Sequence, residues 1–339
     1  MELSYWEIKS WLSNIDFTIV GSGIVGLNCA LELRKKYPKS KILILEKGIL
    51  PQGASTKNAG FACFGSLSEI LEDLKSHSDE EVLQLIQQRI EGLRLLRENL
   101  GDDTIDYQEH GGYELFLNQD QELFEACIER LPEVNKLLLP LFGTPVFSTI
   151  ENLFNFKDIL ERFTFNRFEG QIDTGKMITG LLQKAYNQDI RILNSCELKA
   201  YSEDGHQVYL QTNHFEFSTK QLLIATNGFV KQLLEEKVKP ARAQVLITKP
   251  IPNLKIKGTF HLDKGYYYFR NIEDRILFGG GRNLDFQAEE TTEFGETTIV
   301  QERLEQLLRN TILPNTDFSI EHRWSGIMGV GTQKKPIIK

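Results

Sequence analysis

The chain has 339 residues, of which 41% are hydrophobic and 25% are charged, a composition typical of a globular protein of roughly two domains. Its net charge of −8 disfavours nucleic-acid binding, which usually needs a basic face. No apolar run approaches the ~20 residues of a membrane-spanning helix, and the N-terminus lacks the basic and apolar blocks of a signal peptide. The four cysteines and six histidines are scattered without ligand spacing, so we expect a cytoplasmic protein with reduced thiols and no metal.

The first predicted elements form a strand–helix–strand unit over residues 16–47. A β-branched run at 16–20 is followed at once by the sequence GSGIVG, and the helix after it ends at Pro38. The run KILILE at 41–46 is typical of a buried strand in a parallel sheet. This order, strand, glycine turn, helix and strand, is one βαβ unit.

The later elements indicate a nucleotide-binding domain that is interrupted twice. A loop of small residues at 51–66 precedes helices predicted at 80–100, 119–131, 171–186 and 296–309. Strands are predicted at 113–117, 190–193, 207–212, 221–225, 244–248, 265–270, 275–279 and 319–324. We therefore predict an α/β fold in which a discontinuous Rossmann-type FAD-binding domain (1–75, 165–235 and 316–339) carries an inserted α+β substrate domain (76–164 and 236–315) built on an antiparallel sheet.

The glycine turn carries the signature of a dinucleotide site. Gly21, Gly23 and Gly26 form GxGxxG between a strand and a helix, where they allow a tight turn, close approach of a pyrophosphate and close packing of the helix. Glu46 closes the second strand, where an acid accepts hydrogen bonds from a ribose diol. NAD and FAD both suit this pattern. The absence of a second GxGxxG, together with the small and polar residues of 55–66, favours FAD.

Several segments, taken in order, resemble the D-amino-acid oxidase superfamily of FAD-dependent oxidoreductases, which includes glycine and sarcosine oxidases, D-amino-acid dehydrogenases and gamma-glutamylputrescine oxidase. The resemblance covers nearly the whole chain. It rests on the segments GSGIVGLNCALEL, ILILEKG, GASTKNAG, LLIATNGF, KPARAQVLITKP, YYYFRNIEDRILFGGGR and HRWSGIMGVGTQKKPII. The first of these is shared by many nucleotide-binding folds, whereas GASTKNAG and the later segments are more specific.

The resemblance implies a set of cofactor contacts. Gly21, Ser22, Gly23, Ile24 and Gly26 would line the pyrophosphate, and Glu46 with Lys47 would meet the adenosine ribose. The same resemblance implies contacts to the phosphates, flavin and adenine from Ser55, Thr56, Asn58, Ala59, Gly60, Leu198, Thr226, Asn227 and Gly228. No cysteine follows Cys196, so we expect FAD to be bound without a covalent link.

The resemblance further implies oxidation of a C–N bond by hydride transfer to flavin N5, with O2 or another electron acceptor. Tyr266, Tyr268, Arg270 and Arg282 are candidate substrate contacts. Met328 stands where glycine-oxidase-like enzymes carry an arginine that clamps the substrate carboxylate. This departure favours an amine or N-substituted compound over a free α-amino acid, unless one of the two arginines supplies the clamp.

Other functions stay open at this point. The same fold serves FAD-dependent dehydrogenases of 2-hydroxy acids or glycerol phosphate, and flavin modules that modify tRNA bases, although the acidic charge counts against the latter. Members of the family continue beyond the position of Lys339, so we expect a missing C-terminal end. A chain that truly ended there would be a candidate non-catalytic nucleotide-binding remnant.

Overall fold

The computed structural model describes residues 2–331, 334 and 336–338, and it divides the chain into two compact units. Unit 1 comprises residues 1–58, 174–241 and 327–339, and unit 2 comprises residues 59–173 and 242–326. Residues 59–75, which the sequence prediction placed in the cofactor domain, are in unit 2. The assignment of a function to each domain stays a prediction. Lys339, at the end of the given sequence, lies outside the described residues.

Two helices of the described residues have 22 residues each, and the others are shorter. Their bounds are α1 Tyr5–Glu7, α2 Ile24–Lys36, α3 Ala54–Lys57, α4 Leu67–Asp73, α5 Asp79–Leu100, α6 Asp102–Ile105, α7 Gln121–Phe142, α8 Thr174–Asn187, α9 Phe286–Glu289 and α10 Thr298–Leu307. Single 3-10 turns occupy Asn118–Asp120, Asn227–Gln232 and Arg282–Leu284, and π-helical turns occupy Ile8–Leu12 and Leu308–Ile312. None of the helices in the described residues is long and apolar enough to cross a membrane.

Sixteen strands are formed by the described residues. They are β1 Ile15–Val20, β2 Ile42–Leu45, β3 Phe61–Ala62, β4 Gly112–Leu115, β5 Phe147–Glu151, β6 Arg162–Asn166, β7 Gly170–Gln171 and β8 Arg191–Leu193. The second half of the chain adds β9 Leu198–Glu203, β10 Val208–Thr212, β11 Glu216–Ile224, β12 Lys239–Thr248, β13 Thr259–Leu262, β14 Tyr267–Ile272, β15 Arg275–Gly280 and β16 Ile320–Val330.

Unit 1 is built on a six-stranded sheet in the order β8-β2-β1-β11-β10-β9. The first four strands are parallel, whereas β10 and β9 add antiparallel strands at one edge. The four residues of β2 are all buried, as expected for a strand covered on both faces. On α2, Leu27, Ala30 and Leu31 form a buried stripe, and this helix packs against α8. The predicted Rossmann-type fold is confirmed.

Unit 2 is built on an eight-stranded sheet in the order β16-β12-β15-β14-β13-β4-β6-β5. The pairing of β13 with β4 is parallel, while the neighbours on both sides, β14 and β6, pair antiparallel. One face of the sheet carries an aromatic core, in which Phe260 and Phe269 stack with ring centroids 4.4 Å apart. Since side chains alternate between faces, the opposite face carries a second set of residues, which includes Glu114, His261 and Tyr268. The predicted antiparallel α+β insertion is confirmed.

Two elements extend well beyond their predicted ends. The helix predicted at 119–131 continues as α7 to Phe142 and passes through Pro132 and Pro140. A proline removes one donor from a helix, yet the buried Val134 and Leu138 keep the later turns packed. The last strand was predicted at 319–324, but β16 runs to Val330. Propensity alone underestimates both lengths because tertiary packing and strand pairing stabilise residues that would otherwise break the element.

Candidate functional site

The glycine turn of unit 1 has no room for side chains. Gly21 has φ +104°, and its N–H donates to the Leu45 carbonyl over 2.8 Å. A Cβ on Gly21 would lie 2.7 Å from the Ala225 carbonyl oxygen. A Cβ on Gly26 would lie 1.9 Å from the Gly21 carbonyl oxygen, so α2 must begin in direct contact with the turn. These contacts give two of the glycines the structural reasons that a dinucleotide turn requires.

The N-terminus of α2 is available to an anion. Gly23 is the N-cap and offers no side chain, and the first intrahelical bond runs from the Leu27 N–H to the Gly23 carbonyl. The Ser55 hydroxyl lies at this terminus and accepts the Ile24 N–H over 2.9 Å. The next two N–H groups, of Val25 and Gly26, have no carbonyl partner within the helix. Unpaired N–H groups and the positive end of the helix dipole together form an anion site.

Glu46 holds the turn from the end of β2. Its side chain is buried, and one carboxylate oxygen accepts both the N–H and the hydroxyl of Ser22, over 3.0 and 2.6 Å. The other oxygen accepts the Gly48 N–H over 2.9 Å. A carboxylate has about four acceptor positions, so three are used and one is left for a ribose hydroxyl. The sequence predicted the ribose contact, but it gave no sign that Glu46 also fixes Ser22.

Thr226 provides an independent test of fit for a bound cofactor. Its hydroxyl is buried and has no hydrogen-bond partner among the described residues. A Cβ built on Gly21 would lie 3.9 Å from the Thr226 Cα, which places this hydroxyl beside the glycine turn. An unpaired buried hydroxyl is costly, and a ligand oxygen is one way to satisfy it. The glycine turn, the helix terminus, Glu46 and Thr226 therefore fit a dinucleotide.

The neighbours of Thr226 pack tightly against the last strand. A Cβ on Gly228 would lie 2.7 Å from the Met328 carbonyl oxygen. A Cβ on Gly329 would lie 2.5 Å from the Asn227 side-chain oxygen. The structure therefore brings the predicted residues Asn227 and Gly228 together with Met328, and the contact is made by backbone and amide groups.

The remaining polar residues predicted for the cofactor in unit 1 mostly bond within their own segments. Lys47 forms an ion pair with Glu197 at 3.4 Å, and its side chain is 56% exposed. The Thr56 hydroxyl donates to the Pro51 carbonyl over 2.8 Å, and the Asn58 amide donates to the Ser55 carbonyl over 2.9 Å. These side chains fix the shape of the loop that presents Ser55.

Leu198 begins β9, and its side chain is buried in an apolar cluster with Cys196 and Leu210. A buried leucine side chain stabilises the sheet and offers no polar atom. Any contact of Leu198 with adenine, as the resemblance implies, would therefore be made by its backbone.

Ala59 and Gly60 begin unit 2. Ala59 is buried against Val245 and Leu277. Gly60 has φ +74°, and its carbonyl accepts the Ile172 N–H over 2.8 Å. This segment lies on the face of the eight-stranded sheet opposite the aromatic core. We call this face, which carries Glu114, His261 and Tyr268, the polar face.

Arg270 is committed to backbone carbonyls of unit 2. The side chain is 5% exposed and donates to the Ile172 carbonyl over 2.9 Å, to the Asn271 carbonyl over 3.2 Å and to the Ala59 carbonyl. Burial lowers the pKa of Arg270 to about 10, so the guanidinium is still charged at neutral pH. It fastens two segments to β14, which argues against its predicted use as an anchor for a substrate anion.

Replacing Arg270 by methionine tests this structural role. The change leaves the carbonyls of Ala59 and Ile172 without their donor, and we expect the free energy of unfolding to fall by about 3 kcal/mol, since bonds to a charged donor contribute ~1.5–3 kcal/mol each. Thermal unfolding measures the effect. The matched control is Arg275→Met, because Arg275 forms an exposed ion pair with Glu321 and should contribute less than about 1 kcal/mol. Equal losses for the two variants would contradict the role.

The three tyrosines separate as the strand alternation requires. Tyr267 is buried in the aromatic core, whereas Tyr268 lies on the polar face with its ring 5.6 Å from that of Phe61. Burial raises the pKa of Tyr268 to about 12, so it stays a neutral phenol. Tyr266 precedes the strand and packs edge-on against Phe286. Of the two tyrosines predicted for the substrate, Tyr268 is the one on the polar face.

Arg282 lies beside the same aromatic group. Its guanidinium is 5.6 Å from the Tyr266 ring centroid and 5.2 Å from that of Phe286. Two cation–π contacts of this kind hold the side chain against the rings.

Sequence reasoning missed the acids and the histidine of the polar face. Glu114 and His261 are directly opposite each other on β4 and β13, and His261 forms an ion pair with Glu169 at 2.5 Å. Burial alone would lower the pKa of His261, but the Glu169 carboxylate overrides it and raises the pKa to about 9. Burial raises the pKa of Glu114 although the Ser66 and Ser68 hydroxyls donate to it. No motif joins these residues, so the sequence contains no signal for them.

The chain is similar to known proteins in both sequence and fold. Residues 16–339 match the family model DAO, described as FAD dependent oxidoreductase. Among curated proteins, the probable oxidoreductase OrdL of Haemophilus influenzae is 22% identical over 289 residues, 79% of this chain. The alignment spans 65% of that relative's length.

Solved structures with the same fold include two oxidases. Glycine oxidase from Bacillus cereus superposes with a TM-score of 0.68 and 16% identity, covering 93% of this chain and 83% of that one. Iminodiacetate oxidase from a Chelativorans species superposes with a TM-score of 0.72 and 16% identity, covering 95% of this chain and 85% of that one. At these identities the likeness establishes the fold.

Proposed function

The chain belongs to the DAO family of FAD-dependent oxidoreductases, and we propose that it oxidises the C–N bond of a small amine or N-substituted compound. FAD is the cofactor of this family. When bound, it accepts the hydride that leaves the carbon next to nitrogen. The residues of the chain have the task of binding the cofactor, orienting the substrate and excluding water.

Unit 1 supplies the groups that we propose for the dinucleotide part of FAD. The N-terminus of α2 and the Ser55 hydroxyl suit the pyrophosphate, and the free acceptor position of Glu46 suits a ribose hydroxyl. The buried Thr226 hydroxyl is ready to donate to a cofactor oxygen. The other residues of unit 1 kept in this proposal are Gly21, Ser22, Gly23, Ile24, Gly26, Lys47, Thr56, Asn58, Leu198, Asn227 and Gly228. Ala59 and Gly60, at the start of unit 2, are also kept as proposed contacts.

The proposal for the substrate depends on one observation: none of the three positions considered for an anion clamp, Arg270, Arg282 and Met328, offers a guanidinium that is not already engaged. A carboxylate is usually held by a bidentate arginine. Arg270 is committed to backbone carbonyls, Arg282 is held against two aromatic rings, and Met328 carries no charge. These engagements support an amine without a carboxylate over a 2-hydroxy acid or a phosphate ester.

Anaerobic mixing with candidate substrates tests the proposal. We expect primary or N-methyl amines without a carboxylate to bleach the visible flavin absorption faster than the matching α-amino acids, by at least ~10-fold in the reduction rate constant divided by Kd, because none of the three positions offers an uncommitted clamp. Paired compounds, each amine with its carboxylated counterpart, serve as internal controls. Bleaching by a 2-hydroxy acid or glycerol phosphate, with none by any amine, would contradict the proposal and support the alternative dehydrogenase.

We propose O2 or another electron acceptor as the oxidant that restores the cofactor.

We also propose that the protein works in a reducing compartment such as the cytoplasm. This compartment is supported by the four free thiols, those of Cys29, Cys63, Cys127 and Cys196. The acidic net charge of −8 agrees with a small-molecule substrate and disfavours nucleic acid as a partner.

A further inference from the structure

Three potential metal ligands meet within unit 2. The Cys63 sulfur, a Glu169 carboxylate oxygen and a His261 ring nitrogen all lie within 4.8 Å of one another. Cys63 follows β3, Glu169 precedes β7 and His261 lies on β13. Glu169 and His261 are 92 positions apart in the chain, so motif spacing could not reveal the cluster, and the expectation of no metal rested on motif spacing.

A second, independent observation concerns the Glu169 carboxylate. It is 1% exposed, and its second oxygen, Oε2, is buried without a hydrogen-bond partner among the described residues. The first oxygen bonds to His261 Nε2 over 2.5 Å. A buried carboxylate oxygen without a donor is costly and calls for a cation or a proton donor. The ion pair with His261 therefore satisfies only half of this group.

The surroundings of the cluster are rich in acids. Glu69 and Glu114 both act electrostatically on His261, in addition to Glu169. The basic side chain that acts on Cys63 is Arg89, whose guanidinium donates to the Phe64 carbonyl over 2.7 Å. A cluster with this excess of carboxylates favours a cation at its centre.

We propose that Cys63, Glu169 and His261 form a binding site for a divalent transition-metal ion of the Zn²⁺ type. Thiolate, imidazole and carboxylate are the three ligand types that Zn²⁺ combines, and three protein ligands leave a fourth position for water. Glu169 supplies one carboxylate oxygen to the metal. Binding displaces the thiol proton of Cys63 and the proton shared by His261 and Glu169, and both protons pass to solvent.

The geometry needs only small adjustments to hold the ion. Ligand atoms bound to Zn²⁺ lie at about 2.0–2.3 Å from it, and hence about 3–4 Å from one another. The most widely separated pair of atoms, at up to 4.8 Å, must approach by roughly 1 Å, and the contact of His261 with Glu169 must open by a similar amount. Side-chain rotations suffice for such shifts. Cys63 is partly exposed, which gives the ion a path to the cluster.

The site would stabilise unit 2 by joining three separate segments. Glu169 and His261 pair across β7 and β13, and Cys63 adds the segment after β3, whose Phe61 ring already packs edge-on against His261 at 5.3 Å. An ion that binds the folded state and not the unfolded chain raises the unfolding temperature, and the stabilisation grows with the logarithm of its concentration over Kd. This inference is independent of the proposed oxidation, because it predicts a property of the protein without substrate.

The test is metal binding by the purified full chain. Dialysed without a chelator, the chain is expected to retain about one equivalent of Zn²⁺. After chelation, it is expected to take up Co²⁺ with a near-ultraviolet band from thiolate-to-cobalt charge transfer. Cys63→Ser should abolish the band, and Glu169→Gln should weaken Zn²⁺ binding at least ~10-fold, since outer or inner ligand loss typically costs ~10–100-fold. The matched control is Cys127→Ser, because Cys127 is a buried free cysteine of unit 2 that is outside the cluster.

The possible results distinguish a metal site from an ion pair beside a thiol. A thiolate band in the parent chain and in Cys127→Ser, but not in Cys63→Ser, supports the site. A parent chain that shows neither retained Zn²⁺ nor a cobalt band would overturn it, and Cys63, Glu169 and His261 would then form an ion pair beside a thiol only. The parent-chain measurement decides the question even if a variant fails to fold. If a chain that binds no metal still retains FAD, the metal proposal fails without contradicting the proposed oxidation.

Discussion

Replacing Gly26 by alanine is expected to destabilise unit 1 and to remove most of its affinity for FAD. The new Cβ would lie 1.9 Å from the Gly21 carbonyl oxygen, a backbone atom that cannot move without opening the turn. Alanine gains about 1 kcal/mol of helix propensity over glycine, but overpacking of a rigid site costs ~1–3 kcal/mol or more. The displaced turn also moves the N-terminus of α2, and we expect FAD to bind on the order of 100-fold more weakly, about 2.7 kcal/mol.

Titration of apoprotein with FAD and thermal unfolding measure the two effects of Gly26→Ala. The matched control is Gly92→Ala in α5, where a Cβ would meet nothing within 4 Å. This control should gain up to about 1 kcal/mol in stability from helix propensity and leave FAD affinity unchanged. If Gly26→Ala bound FAD as tightly as Gly92→Ala, the close contact of α2 with the turn would have no part in cofactor binding.

The Glu46→Ala substitution is expected to have the second largest effect, because it removes two functions at once. It leaves the Ser22 N–H, the Ser22 hydroxyl and the Gly48 N–H without their acceptor. Buried groups that lose a charged partner cost ~1–3 kcal/mol each, so we expect a total loss of about 3 kcal/mol in stability after relaxation. Loss of the proposed contact to the ribose should weaken FAD binding by a further ~10–100-fold.

Glu46→Gln separates the two functions of Glu46. It keeps one acceptor oxygen for the backbone, so it should lose less stability than Glu46→Ala, while still weakening FAD. Glu32→Ala is the control, since Glu32 forms an exposed ion pair with Lys35 at 3.2 Å and should change stability by less than about 0.5 kcal/mol. Identical FAD affinities for Glu46→Ala and Glu32→Ala would contradict the ribose assignment.

The sequence predicted the fold of unit 1 because the residue pattern of its candidate cofactor site is local. The turn, the start of α2 and Glu46 lie within 26 residues, from Gly21 to Glu46, and their spacing reports a single βαβ unit. The hydrogen bonds that complete this site were less accessible. That Ser55 accepts the Ile24 N–H across 31 positions depends on where the loop folds back, and residue patterns do not encode this.

The polar face of unit 2 was not predictable from the sequence for a related reason. Glu114, Thr164, His261 and Tyr268 become neighbours through the pairings of β4 with β6, β4 with β13, and β13 with β14. The parallel pairing of β4 with β13 joins segments nearly 150 residues apart, as the bond from Thr259 to the Gly111 carbonyl at a separation of 148 positions illustrates. Non-local strand order is the part of a topology that local periodicity leaves undetermined.

Arg270 shows the limit of reasoning from residue type. An arginine on a strand beside three tyrosines resembles an anion anchor, yet its donors meet the carbonyls of Ala59 and Ile172, 211 and 98 positions away. Every residue has a backbone carbonyl, so the sequence does not show which buried carbonyls are bonded by a side-chain donor. The structure shows these hydrogen bonds directly. Because they occupy the Arg270 guanidinium, they support the proposal of an amine substrate over an anionic one.

The most direct test of the account is to release and identify the bound cofactor. The purified chain is denatured, the precipitate is removed, and the supernatant is analysed for its absorption spectrum and its nucleotide. We expect a yellow protein that releases close to one equivalent of FAD per chain on denaturation, since the link is non-covalent. A colourless protein that binds neither added FAD nor its fragments, or one that releases only NAD, would contradict the central claim that unit 1 is an FAD site.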